Sequence, residues 1–147
     1  MNPSITRDQI IEEAKTWIGT PIQHQGRLKG VGVDCVGFVS GVFMALGCKV
    51  RYRHNYSKLP DGDELLSVLR DNLHEIEVRN IQKGDIVVFK GVYGRPQHLA
   101  FIDGYPIDGE VSIIHSYWTV GKIVQHRLDP KWRRRIVTAF RYSELVD

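Results

Sequence analysis

Two side-chain chemistries in this chain can combine into an acyl-transfer centre, a thiol and an imidazole. Cys35 follows Asp34, a natural N-cap, and so falls in the first turn of a helix. Unpaired N–H groups and the helix dipole favour negative charge there. Such an address lowers a thiol pKa from about 8.5 and populates the nucleophilic thiolate. Cys48 follows the helix-ending Gly47 beside charged residues and reads as structural. A thiolate nucleophile wants an imidazole partner and a third group to orient that imidazole. Of six histidines, His98 opens the apolar run 99–102 and His115 closes the run 111–114. The Asp108-Gly109 turn makes these runs a hairpin, and its open end sets the two rings side by side as base and orienting partner. A strand-end histidine is also an ordinary hydrogen-bonding cap, so the pair gains weight only from Cys35. His24, His54, His74 and His126 lie in loop-like or polar contexts and need no role, though His24 is close to Cys35 in sequence. Tight zinc-ligand pairs, a Gly-x-x-x-x-Gly-Lys loop and Gly-x-Ser-x-Gly are all absent from the sequence.

The elements that must carry these residues are legible. Thr6 with Gln9 fits a capping box, and Ile10, Ile11, Ala14, Trp17 and Ile18 follow helical spacing up to Gly19. Residues 20–33 read as an irregular glycine-bearing loop. Asp34 caps a second helix with Val36, Val39, Phe43 and Leu46 on one face and Gly47 at its end. Gly37, Ser40 and Gly41 keep one side of it slim, for close approach of a strand. A third helix follows Pro60, with Leu65, Leu66, Val68, Leu69 and Leu73. The second half reads as strands at 86–89, 98–103, 111–115, 123–128 and 136–142, bounded by turn chemistry at Gly84, Gly109 and Gly121. Helices first and strands afterwards predict an α+β domain, with N-terminal helices packed on an antiparallel sheet.

A length of 147 residues, 42% hydrophobic and 25% charged, predicts one globular domain over 1–147 and excludes disorder and coiled coil. No apolar run is long enough for a membrane span. The N-terminus lacks an apolar stretch behind a basic start, so no signal peptide is expected. Two cysteines fit reduced thiols in a protein made in the cytoplasm. The net charge of +3 is uneven, since residues 122–141 hold seven Lys and Arg against Asp129 alone. Such a patch suits a polyanion or simply a charged strand edge. Nucleic acid is disfavoured as partner, because Trp132 is the lone aromatic of residues 127–135.

Val33-Asp34-Cys35-Val36-Gly37-Phe38-Val39 resembles the Asp-Cys-Ser-Gly-Phe/Leu-Val signature of NlpC-type cysteine peptidases. Trp17-Ile18-Gly19-Thr20-Pro21, Lys83-Gly84-Asp85-Ile86-Val87-Val88-Phe89, Gln97-His98-Leu99-Ala100-Phe101-Ile102 and Ile114-His115-Ser116-Tyr117 resemble that family's further motifs, in order. His24-Gln25, Lys29-Gly30-Val31-Gly32 and the stretch from Leu128 to Arg135 resemble its phage tail and gene-transfer-agent branch. The resemblance implies a papain-like fold and cleavage of bacterial peptidoglycan stem peptides, at the γ-D-glutamyl–diamino acid bond. It implies Cys35 as nucleophile, His98 as general base and His115 as the residue orienting His98. It also implies a substrate-contacting set of Asp34, Ile22, His24 and Val36. Two of these depart from the family pattern, because Ile22 stands where many relatives have tyrosine and Val36 where they have serine. No metal or organic cofactor is expected, since thiol, imidazole and backbone amides suffice for acyl transfer. The implied setting is a phage-type tail that carries the protein to the cell wall. A rival from another class is a tail-tip or hub component that kept the fold and lost efficient catalysis.

Overall fold

The computed structural model describes residues 2–51, 62–91, 94–104 and 109–147. His54, Pro60 and Asp108 of the sequence analysis lie outside them. Helix α1 (Arg7–Lys15) starts with the expected capping box between Thr6 and Gln9. A short hairpin follows, β1 (Arg27–Leu28) with β2 (Gly32–Val33), in the stretch read as irregular. Two-residue strands carry too little alternation to be seen in sequence. Helix α2 (Cys35–Ala45) is capped by Asp34, and α3 spans Gly62–Asn72.

Six antiparallel strands complete the chain: β3 (His74–Ile76), β4 (Ile86–Lys90), β5 (Pro96–Gly104), β6 (Val111–Tyr117), β7 (Lys122–Arg127) and β8 (Ile136–Arg141). They form one sheet in the order β3-β8-β4-β5-β6-β7. A one-turn helix α4 (Pro130–Arg133) links β7 to β8. The five strands expected from alternation are all present; β3 and α4 were not foreseen. The α+β class and the antiparallel sheet are as expected.

Strand alternation divides the sheet into two apolar faces. Ile86, Val88, Leu99, Phe101, Ile114 and Phe140 form one core with α1, α2 and α3. Val87, Phe89, Ala100, Ile102, Ile113 and Ala139 form a second, covered by Leu128 and Trp132. Phe38 of α2 meets Phe101 of β5 edge-on at 5.3 Å, which lays the start of α2 across β5. Asp85, fully buried at the entry to β4, receives Arg7 of α1 at 3.0 Å and Arg141 of β8 at 2.8 Å. This ion network ties the first helix to the sheet.

The slim side of α2 is used, but not by a sheet strand. The carbonyl of Gly26, just before β1, sits where a Gly37 Cβ would lie 2.1 Å away, and the Trp17 indole lies 2.3 Å from a Cβ at Gly41. Any larger residue at either position would drive the loop or the indole off the helix.

Candidate active site

The first turn of α2 presents Cys35 to the backbone of β5. Its Sγ lies 4.0 Å from the carbonyl oxygen of Gln97, the residue before His98. Asp34 holds this turn in place. Its carboxylate accepts from the Gly37 N–H at 2.7 Å, the Gln25 N–H at 2.9 Å and Arg27 Nη1 at 3.1 Å. Asp34 therefore has an architectural task, clamping the 23–27 loop to the helix start.

The electrostatics of the thiol differ from the expectation. Burial pushes the Cys35 thiol up to about 12, and the adjacent Asp34 charge pushes the same way. The N–H groups of Leu99, Val36 and Cys35 lower it, so the helix-start effect is present but outweighed. Among the described residues no hydrogen bond joins the thiol to an imidazole. Such bonds commonly tighten only when substrate arrives.

His98 and His115 meet ring to ring. His98 Nε2 and His115 Nδ1 are 2.7 Å apart. The rings adjoin, as expected, and the register sets how. The β5–β6 register pairs Phe101 with Ile114, which makes His98 and His115 diagonal neighbours on one face. Phe89, the register partner of His98, stacks on its ring at 6.0 Å. Trp132 stands edge-on to His115 at 4.9 Å and 6.2 Å from His98. Burial, with Arg135 nearby, pushes His98 down to about 4; burial and the neighbouring imidazoles push His115 to about 2.

Two contributors escaped the sequence reading. His126, set aside there as polar context, places Nε2 2.9 Å from His115 Nε2, so three imidazoles line up across β5, β6 and β7. The register of the hairpin joining β6 and β7 was the available signal: with Val124 opposite His115, His126 falls on the same diagonal. Trp132 was noted only as a lone aromatic, yet Asp129 caps α4 by accepting the Trp132 N–H at 2.9 Å and so sets the indole over the rings. The basic stretch is partly spent internally. Arg135 lies 4.5 Å over the Trp132 ring, Arg127 pairs with Glu110, and Arg141 with Asp85.

The residues implied as substrate contacts do not form one set. Val36 is buried in the core, where its side chain packs beside α2 and α3 rather than facing solvent. Ile22 and His24 are half-buried in the segment before β1, and Ile22 donates its N–H to the Gly121 carbonyl at 3.0 Å. Among the described residues there is no cluster of three or more ligating side chains arranged around a metal position. The three imidazoles point nitrogen to nitrogen, at spacings that fit hydrogen bonds and leave no gap for an ion.

A helix that starts on a cysteine, laid on an antiparallel sheet with a paired histidine on the neighbouring strand, defines the papain-like α+β class. The NlpC/P60 family pattern matches residues 19–141, and the chain belongs to this family. Among solved structures it is similar to an NlpC/P60 family protein from Bacillus cereus, at 26% identity and a TM-score of 0.69, over 95% of this chain and 41% of that one. It is also similar in fold to the NlpC/p60 domain of the peptidoglycan hydrolase SagA, at 21% identity and a TM-score of 0.65, covering 93% and 99%. A third likeness in fold is Ly7917 with the hydrolysis product of MDP, at 14% identity and a TM-score of 0.62, covering 94% and 63%. The chain spans about two fifths of the B. cereus protein's length. Comparison with curated proteins gives no match.

Proposed function

We propose that this chain is a cysteine endopeptidase of bacterial peptidoglycan that cuts stem peptides at the γ-D-glutamyl–diamino acid bond. The observation that carries the reading is the His98–His115 pair at 2.7 Å, with His98 on the strand whose backbone touches the Cys35 sulfur. His115 occupies Nε2 of His98, leaving Nδ1 for the nucleophile. Attack by Sγ on the scissile carbonyl moves the thiol proton to Nδ1 and forms a tetrahedral oxyanion. The N–H of Cys35, at a helix start, supports that oxyanion. His98 then protonates the leaving amine, and a water activated by the same ring hydrolyses the thioester.

The elevated thiol and depressed imidazole make the resting pair neutral, so proton transfer accompanies attack rather than preceding it. Membership of NlpC/P60 and fold likeness to a peptidoglycan hydrolase support the substrate class. The proposed setting is a phage-type tail: the protein is made in the cytoplasm, assembled with tail partners and brought to the wall from outside. Its support is the tail-branch resemblance of His24-Gln25 and of the stretch around Trp132.

A second reading, a tail component with weak or lost catalysis, is favoured by the unactivated resting thiol. Mass spectrometry of purified muropeptides after incubation with wild type and Cys35→Ala separates the two. Cleavage by wild type alone supports the peptidase. No cleavage by either, over a broad panel of stem peptides, favours the structural component.

A further inference from the structure

We infer that His126 is a positioning residue that fixes the tautomer of His98 through His115, with the backbone carbonyl of Arg127 as the anchor of the chain. The inference rests on the reading of His98 as the catalytic base.

The imidazole chain ends at a group whose polarity is fixed. His126 Nδ1 lies 2.9 Å from the Arg127 carbonyl oxygen, which can only accept. His126 Nδ1 must therefore carry a proton. A neutral imidazole has one donor and one acceptor, so His126 Nε2 is bare. It faces His115 Nε2 at 2.9 Å, which must then donate. His115 is fully buried, and burial opposes a second proton on its ring. Its Nδ1 is therefore an acceptor, and it faces His98 Nε2 at 2.7 Å. His98 Nε2 must donate in turn. The lone pair of His98 is thereby assigned to Nδ1, the nitrogen needed to take the proton of Cys35.

With a single proton on the His126 ring, the opposite polarity would set a bare nitrogen against a carbonyl lone pair. It would also place the His98 proton on Nδ1, where the base cannot accept. One peptide carbonyl, two strands from the nucleophile's contact, thus selects the active tautomer. Trp132 lies against all three rings, at 4.9 Å from His115, 5.8 Å from His126 and 6.2 Å from His98.

The test reads ring protonation directly, in the full-length 15N-labelled protein at neutral pH, by two-bond 1H–15N correlation of the imidazoles. Expected in wild type are bare Nδ1 atoms on His98 and His115 and a bare Nε2 on His126. A proton on Nδ1 of His98 overturns the inference. His126→Ala should give a mixture of His98 tautomers and lower kcat for stem-peptide cleavage about 10- to 100-fold with KM unchanged. His126→Gln, whose Oε1 can accept from His115 Nε2, should restore both the single tautomer and most of kcat. Unchanged rings and wild-type kcat in His126→Ala would sink the relay and leave the peptidase reading standing. If wild type cleaves no stem peptide, the peptidase reading falls while the ring spectra still decide the relay.

Discussion

At Cys35 two opposing effects act on one sulfur, and their relative size decides how the site idles. Backbone N–H groups at the start of α2 stabilise a thiolate, while burial and the Asp34 charge destabilise it, and burial wins. Iodoacetamide labelling of Cys35 should accordingly rise about tenfold per pH unit through the neutral range, as for any thiol far below its pKa. A plateau below pH 8 would reveal a preformed thiolate and reinstate the helix-start expectation. Asp34→Asn keeps an acceptor for the Gly37 N–H but removes the charge, so labelling should quicken at fixed pH. On the proposed mechanism His98 and His115 should separate by kinetics. His98→Ala should fall to the Cys35→Ala level, since base and nucleophile act as a unit. His115→Asn should retain appreciable kcat, because its amide oxygen can sit where Nδ1 now accepts from His98. If His115→Asn is as inactive as His98→Ala while both stay folded, that division of roles is wrong.

Single elements owe their placement to a few polar ties. Strand β4 enters the sheet through Asp85, which accepts from Arg7 Nη1, from Arg141 Nε and Nη2, and from the Gln82 N–H. Removing that carboxylate leaves two guanidinium groups facing a dry cavity. Asp85→Ala should cost about 3 kcal/mol in urea unfolding, at the lower end for broken buried pairs because both arginines keep some solvent contact. Asp85→Asn, which still accepts hydrogen bonds, should cost clearly less. Equal stability of Asp85→Ala and wild type would show that α1 is held by its apolar face alone. Asp85 precedes Ile86 at one end of β4, while Phe89 near the other end pairs with His98, so a folded Asp85→Asn should keep its rate of stem-peptide cleavage.

Across the whole molecule, the two faces of one sheet divide the labour. One face packs the helices and brings the start of α2 to the β5 backbone beside His98, and the other carries the imidazole chain, with His115 buried beneath Trp132. Burying rings in this way has a consequence for acid stability. His98 and His115 have folded pKa values near 4 and 2, below the ordinary 6.5, so the unfolded chain binds more protons at acid pH. Their contribution to stability is complete above about pH 6.5 and is lost as pH falls through the folded values. Wild type should lose Tm more steeply between pH 6.5 and 4 than His115→Gln, which removes one of the two titrating rings. Parallel curves for the two proteins would contradict the buried, neutral state of His115.

Much of this was determined by local chemistry that a sequence displays. The Thr6–Gln9 capping box, the Asp34 cap and the five alternating strands each depend on neighbours a few residues apart, and each formed where its residues predict. Cys35, His98 and His115 were legible for the same reason, as a helix start and two ends of one hairpin. The rest depends on contacts that no local pattern encodes. Register alone made the His98–His115 contact diagonal and brought in His126 from the next strand. A one-turn helix, too short to leave a periodic signal, set Trp132 over the rings. The state of the thiol was decided the same way, because desolvation is a sum over everything packed around a sulfur. The helix address is local and the burial is not, and the larger of the two came from the tertiary structure.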